Sequence, residues 1–202
     1  MDPIDLSQID PFYLFTLLLL GIILLAVAYT RLSGSPSREH IVREGLQRAG
    51  LQPRRTRLAV KVDGKVVNVD LYDGGTETFV LRANTHRLPA RIAISGQQAL
   101  DELKVWRDNV EWTATGLFDL DAVLTIGATP PDFAPRVLAD QSVQRALIRL
   151  HQIDPSFKLF AKGYLITLHP GIADLAEITA EQWRTYLTTL ARFAQAVEHA
   201  RI

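Results

Sequence analysis

The pattern of apolar and polar positions divides the chain into two regimes. Residues 11–30, PFYLFTLLLLGIILLAVAYT, carry no charge and no polar stripe. A helix of that length rises about 30 Å, the thickness of a bilayer's hydrocarbon core. A helix half-exposed to water would show a polar face at helical spacing, and this one shows none. The stretch therefore predicts a transmembrane helix. Phe12, Tyr13 and Phe15 near one end and Tyr29 at the other stand where aromatic side chains meet lipid headgroups. A cleaved leader would use Ala26-Val27-Ala28 as its small-residue site, but it would begin with positive charge, whereas Asp2, Asp5 and Asp10 precede this run.

Beyond a short Gly/Ser/Pro linker, residues 31–37, the periods shorten and alternate. Ile41, Val42, Leu46 and Ala49 recur at helical spacing, and Gly50 follows as a C-terminal stop. Leu58, Val60 and Val62 then alternate with polar neighbours, Asp63-Gly64 marks a tight turn, and Val67, Val69 and Leu71 continue the alternation. Asp73-Gly74-Gly75 marks a second turn. Phe79, Leu81 and Ala83 predict a third strand, and Ala90, Ile92 and Ile94 a fourth after a break at Pro89. Together these read as a four-stranded antiparallel meander. Residues 95–115 match neither period throughout: Gln97 to Val105 fits a short helix, while Val110, Trp112 and Ala114 alternate.

The second half predicts a buried strand over Ala122 to Ile126, closed by Gly127. A short helix through Phe133, Val137 and Leu138 follows, then a longer one capped by Asp140 with Val143, Ala146, Leu147 and Leu150 on one face. Phe157, Leu159 and Ala161, the Lys162-Gly163 pair, and Tyr164, Ile166 and Leu168 read as a hairpin. The last helix opens with Thr179-Ala180-Glu181-Gln182, a capping box, flanked by Ile178 and Trp183 as a hydrophobic staple. Its stripe of Trp183, Tyr186, Leu187, Leu190, Phe193, Ala194 and Val197 is the face a helix needs to cover a sheet. The expected fold class is α+β: a transmembrane helix, then antiparallel hairpins packed against helices. Residues 1–10 form a short tail, 11–30 the anchor, 31–37 a linker, and 38–202 a soluble domain or two packed halves, about 38–95 and 110–202.

Charge sharpens this reading. The net charge is zero over 202 residues, yet residues 31–65 hold nine basic and three acidic side chains. Basic residues gather on the cytoplasmic side of an anchor, so the short acidic N-terminus belongs outside and the domain inside, at the inner (plasma) membrane. The collar of Arg38, Arg43, Arg48, Arg54, Arg55 and Arg57 has two readings of equal standing. It attracts anionic lipid by about 1 kcal/mol per charge, or it serves only to fix orientation. The collar lacks interleaved aromatics, which speaks against nucleic acid as a partner. With no cysteine, disulfides and thiol chemistry are excluded.

Candidate chemistry is sparse. If Asp119 and Asp121 lie on a strand they share a face, and two carboxylates there could hold a cation or work as acid and base. No third acid lies beside them, which favours solvated turn or capping roles. His40, His86, His151, His169 and His199 are scattered without zinc spacing, and neither a GxSxG elbow nor a phosphate-binding loop occurs. No cofactor is implied.

The segment TGLFDLDAVLTIG, followed by PDFAPRVLADQSVQRALIRL and FKLFAKGYLITL, resembles uncharacterised bacterial membrane-anchored proteins. In those a Thr-Gly-Asp…Phe-Asp segment precedes a strand, a helical region, a hairpin and a terminal helix. Here Leu117 replaces the first Asp and Leu120-Asp121 stands for Phe-Asp. The resemblance runs from Thr115 to the end and implies architecture, not activity. The expected function is that of a membrane-anchored binding or adaptor protein, with the lipid bilayer and another protein as partners. The rival is a tethered enzyme or metal-binding protein using Asp119 and Asp121.

Overall fold

A computed structural model describes residues 16, 19–23, 36–54, 57–72, 79–96, 111–172 and 174–200. The chain divides into two compact units, one ending at Ser37 and the other running from Arg38 to Ile202. Most of the expected anchor lies outside the described residues, as do Phe12, Tyr13, Phe15 and Tyr29. Among the described residues no helix is long and apolar enough to cross a membrane. Within the expected anchor, residues 16 and 19–23 are helical, with Leu19, Leu20, Ile22 and Ile23 exposed.

The unit from Arg38 to Ile202 is an α+β fold in which one antiparallel sheet packs against helices. It opens with α1 (Arg38–Arg48), which ends as its sequence predicts. Gly50 adopts φ +74°, the Gly50 amide donates to Gln47 O (2.8 Å) and the Leu51 amide to Leu46 O (2.9 Å), closing a Schellman cap. β1 (Ala59–Val62) and β2 (Lys65–Leu71) form the expected hairpin. Asp63 and Gly64 both take positive φ, which a two-residue turn between twisted strands requires.

The structure departs from the expected meander at its next strand. What reads as a third and a fourth strand is one continuous β3 (Phe79–Gly96), and its two arms do not pair with each other. The first arm pairs with β2 from Phe79 to Ala83; the second pairs with β5 (Leu124–Thr129) from Arg91 to Gly96. Pro89, which lacks an amide to give to a ladder, sits where the register slips instead of ending the strand. β4 (Glu111–Trp112) adds a short edge beyond β5.

The expected hairpin around Lys162-Gly163 is likewise a single strand, β6 (Lys158–His169), paired with β3 along its length. It does double back. Nine residues of extended chain span about 30 Å, yet the rings of Phe160 and His169 lie 5.6 Å apart. Gly163, at φ +61°, supplies the reversal, and β3 follows it with extra residues between Asn84 and Arg91. The turn was legible. The pairing partner was not, because both arms hydrogen-bond outward to β3 rather than to each other.

α2 (Phe118–Asp121) and α3 (Phe133–Val137) lie against β5, and α4 (Gln141–Ile153) follows them. A 3-10 turn (Leu175–Glu177) leads into α5 (Ala180–His199), whose capping box is formed as predicted. The Gln182 amide donates to Thr179 Oγ1 at 3.2 Å, and Gln182 Oε1 accepts from the Thr179 amide at 2.8 Å. α5 touches α1, α3, α4, β1, β2, β3 and β6, and Trp183, Tyr186, Leu187, Leu190, Phe193 and Val197 are buried on it. On the sheet, Val67, Leu81, Ile92, Ile94, Leu159 and Ile166 complete the core.

Candidate functional site

The fold assigns Asp119 and Asp121 to a helical turn, not a strand. Residues two apart on a helix point about 200° away from one another, so these carboxylates do not share a face. Asp121 has a structural task. Its Oδ1 accepts from the Thr115 amide (3.1 Å) and hydroxyl (2.8 Å), and its Oδ2 from the Gly116 amide (3.0 Å). The carboxylate ties down the loop before α2, with Gly116 at φ +76°. Asp119 is exposed. The strand-based pairing is thereby corrected, and no group of three or more His, Asp or Glu able to hold a metal occurs among the described residues.

The collar is partly neutralised by its own helix. Arg43 pairs with Glu39 (2.8 Å) and also donates to Arg54 O (3.1 Å); Arg48 stands 4.0 Å from Glu44. Such exposed pairs contribute a few tenths of a kcal/mol each. Arg38 donates to Tyr72 O, tying the start of α1 to the end of β2. Arg54 and Arg57 are exposed, and Arg55 lies outside the described residues.

Arg57 leads to a feature the sequence did not single out. An open cleft of about 600 Å³ lies between α1 and the polar face of β2 and β3, with Glu39, Arg57, Asn68, Asp70, Arg82 and Asn84 among its walls. Strand alternation explains it. Val67 and Val69 turn into the core, so Asn68 and Asp70 must face out, and Arg82 lies opposite Asn68 across the ladder. Arg82 Nε stands 2.9 Å from Asp70 Oδ2, its guanidinium donates to the Tyr72 hydroxyl, and it lies 5.9 Å from the Tyr72 ring centroid. Both members of the ion pair remain more than a third exposed, so an incoming polar chain can compete for either. Mixed charge, amide side chains and an open mouth suit recognition of a polar segment.

A second polar centre is buried and structural. Asp154 caps the end of α4 and is almost wholly enclosed. Its Oδ1 accepts from the Ser156 amide (3.2 Å), and its Oδ2 from the Gly171 amide (2.8 Å) and the Tyr186 hydroxyl (3.0 Å). It thus joins the residues before β6, the residues after it, and α5. Burial, and then the Asp154 carboxylate, push the Tyr186 hydroxyl far above the usual phenol range, so it remains a donor. Only the Asp-Pro-Ser turn signal at 154–156 hinted at this centre.

Fold and cleft together define a class: a single antiparallel sheet with helices packed on it and an open polar cleft beside its first helix. No protein-family profile matches the chain, and no curated protein matches it. Among solved structures the chain is similar to the crystal structure of the mycobacterial trehalose monomycolate transport factor A, TtfA, with a TM-score of 0.48 and 13% sequence identity over 78% of this chain and 94% of that one. A likeness at that level says nothing about what this chain binds.

Proposed function

We propose that this protein is a membrane-anchored adaptor whose domain faces the cytoplasm and recognises a partner through the cleft beside α1. The observation that carries the reading is the cleft's place in the chain. The charge-free stretch ends at Thr30 and α1 begins at Arg38, and seven linking residues span at most about 25 Å. An anchor over residues 11–30 would tether the domain to the membrane, with the Arg-rich flank inside. The exposed Leu19, Leu20, Ile22 and Ile23 have the character lipid requires. Asp119 and Asp121 do not converge, so the enzymatic alternative loses the geometry it needed.

The test is photo-crosslinking in cells from residue 68 or 84 in the cleft, with residue 152 on α4 as the remote control. The same membrane-fraction protein should be captured from both cleft positions and not from residue 152. Capture without dependence on position would refute recognition by the cleft. A C-terminal reporter active only outside the inner membrane should stay silent; activity there would overturn the orientation.

A further inference from the structure

We propose a second binding site, for a phosphate-bearing ligand, at the bend where β3 and β6 reverse together. A cleft of about 620 Å³ opens there, lined by Arg87, Arg91 and Lys162 with Leu88, Pro89 and Gly163 among its walls. Among the described residues, no Asp or Glu lines it. Three cations sharing one cleft repel each other, an arrangement that an anion relieves.

Another basic groove shows the contrast. Between α4 and α5, Arg145, Arg149, Arg184 and Arg192 are gathered, but each is engaged. Arg149 pairs with Glu181 and Arg192 with Asp63 (3.4 Å); Arg184 donates to Ala49 O (2.6 Å) and Arg145 to Gln141 O (3.3 Å). At the bend, Glu198 feels His86 but is held by Lys65 and Thr85.

The backbone is also distinctive. Residues 85–87 and 89–90 have no register partner on β6, and β2 stops pairing at Ala83 while β5 begins at Arg91. This stretch of main chain lies outside the ladders on both sides. Arginine forks match the oxygens of a phosphate group two at a time, and Lys162 adds a point charge. Tyr164, next to Gly163, is exposed. A phosphate group reaches such a site from a lipid headgroup or from a soluble phosphate.

The experiment titrates the full chain in a neutral detergent by calorimetry. The probes are inorganic pyrophosphate, dihexanoyl phosphatidic acid and, as the neutral control, dihexanoyl phosphatidylcholine. Saturable binding of a phosphate probe is expected, weakened about tenfold by Lys162→Gln and abolished by Arg87→Gln/Arg91→Gln/Lys162→Gln. Arg145→Gln/Arg149→Gln should bind as the parent does. Tighter binding of phosphatidic acid assigns the site to a headgroup; equal or tighter binding of pyrophosphate assigns it to a soluble phosphate. Absence of saturable binding overturns the proposal. So does undiminished binding by Lys162→Gln, or a loss confined to Arg145→Gln/Arg149→Gln.

Discussion

Gly45 lies in the interior of α1, where glycine costs a helix about 1 kcal/mol relative to alanine. On propensity alone, Gly45→Ala should stabilise the protein. Its surroundings say otherwise. A Cβ at this position would stand 2.5 Å from Trp183 Nε1, 3.1 Å from Cδ1 and 3.3 Å from Cε2. Trp183 is fully enclosed and packs against Phe79 with ring centroids 5.3 Å apart, so the indole has little room to yield. Overpacking of this kind costs about 1–3 kcal/mol, so the substitution in the parent should be neutral to destabilising by about 2 kcal/mol. Trp183→Ala alone should cost about 3–5 kcal/mol. In that background the obstruction is gone, and Gly45→Ala should recover its propensity gain of about 1 kcal/mol. Thermal unfolding of the four proteins reads the coupling directly, at about 2–4 °C per kcal/mol for a domain of this size. A shift from Gly45→Ala of the same sign and size in both backgrounds would refute the packing of α1 on α5.

Three further outcomes are expected. Tyr186→Phe leaves Asp154 buried with one donor fewer and should cost about 1–3 kcal/mol; melting like the parent would show that the hydroxyl is dispensable. Thr179→Ala removes the α5 cap and should cost about 1 kcal/mol, with Thr179→Ser restoring most of it in the same melting assay. Burial raises the Glu198 pKa, but the Lys65 and Thr85 contacts outweigh it and hold the carboxyl below its ordinary value. A depressed pKa gives stability that is present above the unfolded value, about 4.3, and is lost as pH falls through the folded one. The melting gap between parent and Glu198→Gln should therefore be open at pH 6 and close toward pH 2; a gap independent of pH would refute the assignment.

Several local signals were read correctly. The Asp63-Gly64 turn, the Gly50 stop, the Asp140 cap and the Thr179 capping box each depend on neighbours within a few residues. The arms of β3 and β6 have the right period and the right reversal points, but alternation cannot say whether a reversing chain pairs with itself. The pairing of Asp119 and Asp121 depended on a strand, and four residues are too few to display a period that decides between strand and helical turn. Asp154 and the Asp70–Arg82 cleft escaped notice for a different reason. Their partners stand on other elements, and polar residues of a strand look alike whether they face bulk water or a cleft.

The doubled-back ribbon has a consequence for synthesis. β3 leaves the ribosome with one side unpaired, and β6, which must cover it, is translated only several seconds later at roughly 5–20 residues per second. α5, which touches α1 and four of the strands, emerges last of all. Through that interval the nascent chain presents a bare edge and an uncovered apolar sheet, the kind of surface that chaperones bind. Once α5 arrives, early and late parts of this unit close together, and its folding waits for that helix.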